Sequence, residues 1–253
     1  YQTAQIGKWH TGTDTGAGRD WDFQKVWNRP RYPENAGNYY KDQLIETNGG
    51  KPVMTTGYST DNYTRWALDF IRGDNRDLDK PWYLWLCYGA VHASFTPADR
   101  HLGAYVDARV PIPVDIYPPR PGKPEYMQKT DFWIQGKDGQ PLEKRTILRT
   151  SDSPGNPGRT LASGVRQYHE AVMALDEGVG QIMKALEKTG QLENTLVVFT
   201  SDQGLAWGQH GFGIKLAPYD ATIRSPLIIS MPGTLPQGVI SETPVGGVDL
   251  VPT

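Results

Sequence analysis

The sequence predicts an α/β fold with a mostly parallel central sheet flanked by helices, and three observations predict it. Apolar runs at 81–89 (PWYLWLCYG), 195–204 (TLVVFTSDQG) and 226–233 (PLIISMPG) are short and bounded by turn residues. They are apolar on both faces, as strands covered by helices on each side are. Two longer segments, 60–73 and 163–191, carry apolar residues at steps of three and four, the period of a helix with one buried stripe. The second of them leads into the 195–204 run, which is half of a βαβ unit.

Taken in chain order, Thr3 to Ile6 reads as the tail of a first strand, followed by GKWHTG (7–12). In an extended backbone Lys8 and His10 project to one side and Trp9 to the other. In 60–73 the stripe is Tyr63, Trp66, Ala67, Phe70 and Ile71, with Thr60 placed to cap the start and Gly73 to stop the helix. The 81–89 run contains Cys87, the only cysteine of the chain. It excludes an internal disulfide and, inside an apolar run, reads as a buried inert thiol. Residues 93–162 are rich in proline, glycine and charge. They read as a long excursion over the surface, with one short helix or hairpin near 125–150. Helix 163–191 carries Val165, Tyr168, Val172, Leu175, Val179, Ile182 and Leu186 as its stripe, Lys188 in its last turn and Gly190 to close it.

Composition narrows the classes. With 253 residues, 38% hydrophobic and 21% charged, the chain can bury a sizeable core and is not disordered throughout. A net charge of −2 with both signs interspersed leaves no nucleic-acid footprint and no membrane-surface patch. No apolar stretch approaches the roughly 18 residues of a membrane-spanning helix. The chain begins at Tyr1 and ends at Thr253 just after the apolar run GGVDLVPT, so both ends are expected to be cuts through a longer protein.

Ligands of open α/β sheets bind beyond the carboxyl ends of the strands, so the candidate site is sought in the segments just past each strand. Lys8 and His10 come after the first. His92 comes after the second in GAVHAS, and Asp202 and Gln203 after the third, with His210 and Lys215 shortly beyond in WGQHGFGIK. Asp202 and Gln203 offer hard oxygens that suit calcium or magnesium, though two ligands fall short of the about six to eight that calcium takes. Lysines and histidines around a divalent cation describe a seat for a tetrahedral oxyanion. Each residue also has a structural reading: Ser-Asp-x-Gly as a turn, the histidines as loop residues, the lysines as solvated surface charges.

GKWHTG, GAVHASFTP, SDQGLAWGQHGFGIK, IRSPLIISMPG and GGVDLVPT together resemble, in order, the signature blocks of the formylglycine-dependent sulfatases of the alkaline phosphatase superfamily. The 100–160 region carries no signature. The resemblance implies an alkaline-phosphatase-like large domain and hydrolysis of a sulfate ester of a carbohydrate or small alcohol. It implies that Lys8 contacts sulfate and nucleophile, that His10 hydrogen-bonds the nucleophile, and that His92 binds sulfate and helps protonate the leaving oxygen. Lys215 would bind sulfate from the far side, Asp202 and Gln203 would be two calcium ligands, and His210 would either face the substrate or support the residues that do. Gln203 departs from the more usual Asn or His. The family's nucleophile, a cysteine or serine oxidised to formylglycine by a dedicated maturation enzyme, lies in C/S-x-P/A-x-R, and no such motif occurs here; Cys87 precedes Tyr-Gly-Ala-Val. The nucleophile and further calcium ligands are therefore expected upstream of Tyr1, a smaller C-terminal domain beyond Thr253, and export to the periplasm or outside the cell. The alternatives are a metal-dependent phosphodiesterase or phosphonate hydrolase of the same superfamily, or a homologue that only binds sulfated glycans.

Overall fold

A computed structural model describes residues 1–144, 159–215 and 217–250. Strand β1 (Gln2–Trp9) is the spine of the sheet, with Ala4 and Ile6 fully buried. β2 (Phe23–Asn28) pairs parallel to it; β3 (Lys41–Thr47) and β4 (Val53–Tyr58) follow as an antiparallel meander. Helix α1 (Ser59–Arg72) then crosses the sheet, and β5 (Trp82–Cys87) returns parallel to β1 on its other side. The order is β4-β3-β2-β1-β5. The α/β class holds, but the sheet is mixed rather than mostly parallel. Its β2–β3 and β3–β4 neighbours are antiparallel because short connections reverse the chain, whereas parallel neighbours need crossovers.

Helix α1 lies on the face made by Ala4, Ile6, Phe23 and Trp27, burying Tyr63, Trp66, Ala67 and Phe70 against them. This is the predicted stripe. Its end is also as predicted: Gly73 takes φ 119° and its N–H reaches the carbonyl of Phe70 at 3.1 Å. Its start is not, since Thr60 sits within the first turn and Tyr58 occupies the cap without a side-chain bond. The opposite face of the sheet leaves Tyr83 and Trp85 exposed, with Trp21 stacked on Tyr83 and tilted against Trp85.

Within 93–162, a short helix α2 (Glu125–Gln128) and the hairpin of β6 (Trp133–Gln135) and β7 (Pro141–Glu143) fall in the window expected for them. Residues 145–150 of that window lie outside the described residues. The segment is more than an excursion over the surface, because it builds a small core from Ile116, Trp133 and Leu161. Arg120, 1% exposed, ties its loops together. Its guanidinium donates to the carbonyls of Asp115 (2.8 Å), Ile116 (2.6 Å), Thr130 (3.2 Å) and Met127. Carbonyls that no strand partner satisfies thus find a buried donor.

Helix α3 (Leu161–Lys188) is capped by Thr160, whose hydroxyl oxygen accepts from the Ser163 N–H. Gly190, at φ 69°, follows its end. It packs on α1, and the contact is close enough at Gly178 that a Cβ there would lie 2.6 Å from the Thr64 hydroxyl. Beyond it come β8 (Val197–Thr200), the small hairpin of β9 (Ala206–Trp207) and β10 (Gly213–Ile214), α4 (Asp220–Ile223) and β11 (Leu227–Ser230). The 195–204 and 226–233 runs are strands as expected. Among the described residues they pair only with each other, antiparallel, and Val198, Phe199, Ile228 and Ile229 remain exposed rather than covered on both faces.

Candidate active site

The parallel strands β1, β2 and β5 end at one rim, and their register decides which side chains meet there. Gly7 pairs with Cys87, and Lys8 with Trp27. Gly7 adopts φ +111°, and a Cβ on it would collide with the carbonyl of Cys87. The glycine before Lys8 is therefore a condition for β1 and β5 to lie together. The pleat sends Lys8 to the α1 face, with its ammonium 5.2 Å from the centre of the Tyr39 ring. Trp9 goes the other way, as expected: its indole N–H donates to the Gly12 carbonyl (2.9 Å) and its ring meets Trp85 edge-on.

Arg29 follows β2 as His10 follows β1. Its backbone N–H donates to the Trp9 carbonyl (3.2 Å), which brings the two side chains side by side. Nη1 of Arg29 lies 2.9 Å from Nε2 of His10, and its Nε donates to the Ala36 carbonyl at 2.7 Å. After β5, His92 stacks on Tyr39 with ring centres 3.9 Å apart. Nδ1 of His92 lies 2.8 Å from the Ala93 carbonyl, which can only accept, so Nδ1 carries the proton and Nε2 accepts from the Tyr39 hydroxyl at 3.2 Å.

The electrostatics tie in the residues from the second half of the chain. Burial lowers the pKa of Lys8, the neighbouring Arg29 and Lys215 lower it further, and Asp202 opposes them. His10 is lowered by burial, then by Arg29, Lys8 and Lys215, again against Asp202. His92 is pushed down to about 4 by burial, despite its bond to Ala93, with Lys8, Lys215 and Arg29 adding to the effect. Asp202 and Lys215, from distant segments, thus act electrostatically on Lys8 and His10, and Lys215 on His92 as well. His92 is neutral here and both its nitrogens are engaged, so in this state it is not loaded as an acid. Cys87 is half-buried rather than buried, and its thiol is pushed up to about 12 by desolvation.

Asp202 is exposed and Gln203 half-buried. Among the described residues neither side chain has a hydrogen bond or ion pair, so both oxygens are free for a cation. They are the right kind of donor for calcium or magnesium but only two of them, and no group of three or more His, Cys, Asp or Glu gathers around a metal position among the described residues. Two such donors fall short of the about six to eight oxygens that calcium takes.

His210 sits apart from these contacts. It adopts φ 55°, its backbone N–H donates to Oδ1 of Asp115 (3.0 Å), its Nδ1 lies 2.5 Å from Oδ2, and its ring packs on Tyr219. Two residues of the rim carry no signal in the apolar pattern of the sequence. Arg29 stands beside Lys8 and is found by the same rule once FQKVWN is recognised as a strand. Tyr39 is hidden more deeply, since its role depends on three partners distant in sequence or on other strands: His92, Lys8 and Arg29 all lie against its ring.

The sequence profile of the Sulfatase family matches residues 1–253. The chain is 29% identical over its whole length to an N-acetylglucosamine-6-O-sulfatase of Bacteroides thetaiotaomicron, of which it covers 51%. Over 88% of its length it is 27% identical to the N-acetylglucosamine-6-sulfatase of Homo sapiens, covering 37% of that protein. It thus spans about half the length, or less, of these curated relatives. Among solved structures it resembles BT4656 in complex with its substrate D-glucosamine-2-N,6-O-disulfate, at TM-score 0.70 and 27% identity, covering 92% of this chain and 53% of the other. With a mixed sheet whose parallel strands end at a cationic rim, and a family profile matched from first residue to last, the chain belongs to the sulfatase family.

Proposed function

We propose that the protein carrying this chain hydrolyses a sulfate monoester of a sugar, with 6-O-sulfated N-acetylglucosamine or glucosamine the first substrates to test. The observation that carries this reading is the charge imbalance at the rim: among the described residues, Arg29 and Lys215 act on Lys8, His10 and His92, and Asp202 is the carboxylate that opposes them at Lys8 and His10. Cations held by the fold before substrate arrives can stabilise charge that gathers on sulfate oxygens and on the leaving alkoxide. Lys8 and Lys215 would grip the sulfate, His10 would hydrogen-bond the nucleophile, and His92 would bind a sulfate oxygen through a neutral ring. For His92 to protonate the leaving oxygen, the arriving anion must first raise its pKa. The relatives' names supply the glucosamine 6-sulfate class.

The nucleophile in this reading is a formylglycine from residues outside 1–253, because no C/S-x-P/A-x-R occurs within them; a formylglycine-forming maturation enzyme is then a required partner. Asp202 and Gln203 would hold one side of a calcium or magnesium ion, which when bound withdraws electron density from the sulfate.

The test is release of inorganic sulfate by the full-length protein from 6-O-sulfated N-acetylglucosamine, an aryl sulfate and the matched phosphate monoester. Peptide mass spectrometry in parallel shows whether formylglycine is present. Release from the sugar sulfate well above phosphate release supports the reading. Preference for the phosphate ester points to the related phosphoester chemistry. A formylglycine-bearing protein inert towards every sulfated sugar sinks it.

A further inference from the structure

We propose that Phe95 is a positioning residue: its ring joins the turn that carries His92 to the hairpin that ends beside Lys215, and Arg159 clamps it there. Phe95 lies three residues beyond His92, and its N–H donates to the His92 carbonyl at 3.1 Å. It is 3% exposed and takes φ 59°. A bulky residue holds that left-handed conformation only where its surroundings over-determine it. Here the ring centre lies 5.0 Å from that of Trp207 and 5.7 Å from that of Tyr168, with the Arg159 guanidinium 5.0 Å away. Nη1 of Arg159 also donates to the Ser94 carbonyl at 3.0 Å, so one side chain fixes both the ring and the backbone beside it.

Trp207 passes the contact on towards Lys215. The hairpin pairs Trp207 with Gly213 and Ala206 with Ile214, and Ile214, directly before Lys215, is also left-handed at φ 57°. The 93–162 region holds this hairpin from its other side. The Trp133 indole N–H donates to the Phe212 carbonyl at 3.0 Å, and a Cβ on Gly213 would overlap the Phe132 ring. Phe95, Phe132, Arg159, Trp207 and Ile214 line a cavity of only about 10 Å³, the scale of one water. The junction is packed and has no room for a substrate group. A region without signature motifs thus braces two residues that lie in such motifs, and a misplacement of about 1 Å at a reacting group can cost ~10²-fold in rate.

The junction stands on this geometry alone; its effect on rate rests on the sulfatase reading. The test combines amide hydrogen exchange with kinetics on the full-length protein, as wild type, Phe95→Ala, Arg159→Gln and Leu186→Ala. Leu186 is equally buried, in the separate core with Ile71 against Trp82 at the start of β5, and is the control for lost packing. Phe95→Ala and Arg159→Gln should speed exchange in 90–97 and 206–215 together. On the sugar sulfate their kcat should fall about tenfold or more, with KM within about threefold. Arg159→Gln leaves the aromatic core in place, so it decides the matter where Phe95→Ala fails to fold. Leu186→Ala should lower the melting temperature while leaving kcat and exchange in both segments unchanged. Exchange that rises in only one segment, or in neither, overturns the proposal. So does an unchanged kcat in Arg159→Gln, a loss confined to KM, or an equal loss of kcat in Leu186→Ala. If both segments loosen as stated and the wild type releases no sulfate, the sulfatase reading fails while the junction survives.

Discussion

Two charged clusters on this chain differ in one respect that separates structure from chemistry. Between α1 and α3 lies a cleft of about 340 Å³ whose charges are matched. Arg100 donates to both oxygens of Asp61 (2.9 and 2.8 Å) and to Glu177 (2.8 Å), and His101 reaches the other oxygen of Glu177 at 3.1 Å. At the carboxyl ends of β1, β2 and β5, by contrast, burial and then Arg29 and Lys215 lower the pKa values of Lys8, His10 and His92, Asp202 opposes them at Lys8 and His10, and Lys215 has no hydrogen bond or ion pair among the described residues. The first arrangement pairs its Arg100 and carboxylates with one another and joins two helices to a loop. The second is electrostatically unfinished. A large cleft is thus a poorer guide to the chemistry of this chain than unbalanced charge held by a rigid sheet.

The comparison can be broken at several points, the largest effect first. In the full-length protein, Lys8→Ala and Lys215→Ala should each lower kcat/KM for a sulfate ester by about 10²–10³-fold, the scale of losing one preorganised stabilising group, with thermal unfolding little changed for Lys215→Ala. Steady-state kinetics beside a melting curve decide it, and near-normal turnover in Lys215→Ala removes that residue from the site. Gly7→Ala attacks the scaffold instead. With φ +111° and the Cys87 carbonyl in the way, it should cost at least about 2 kcal/mol in denaturant titration. At the matched cluster, Arg100→Ala should leave turnover within about twofold and stability within about 1 kcal/mol, because its pairs are partly exposed.

A pH prediction tests the burial of His92. Its folded pKa, about 4, lies below the unfolded value near 6.5. Between these values the unfolded chain binds more protons, so stability falls as pH drops from about 6.5 towards 4 and is insensitive to this group above that window. His92→Asn should flatten the acid limb of a stability-against-pH curve; an unchanged limb would show that His92 does not contribute to it.

The legible part of the site lies just past strands written in apolar residues. GAVH comes after β5 and SDQG after β8, both uninterrupted apolar runs, and GKWH after the buried Ala4 and Ile6. β2 is not legible in this way because polar residues share its buried positions with Phe23, Val26 and Trp27. Gln24 and Asn28 are fully buried, held by Thr15, Gln5, Glu46 and the Thr13 carbonyl, so FQKVWN lacks the pattern that marks a strand. β3 is hidden in the same way, with Gln43 and Glu46 buried and bonded to Tyr63 and Tyr32. With β2 and β3 hidden, the sheet looks more parallel than it is and Arg29 is concealed. In 93–162 the core is closed by a buried arginine on backbone carbonyls, a device that no hydrophobic period records.

The most direct measurement compares the two clusters in one assay: inorganic sulfate released from 6-O-sulfated N-acetylglucosamine by the full-length wild type, Lys215→Ala and Arg100→Ala. An anion seat at the rim predicts release that collapses in Lys215→Ala and persists in Arg100→Ala. Release that survives in Lys215→Ala, or that is lost only when the Arg100 cluster is cut, would contradict it.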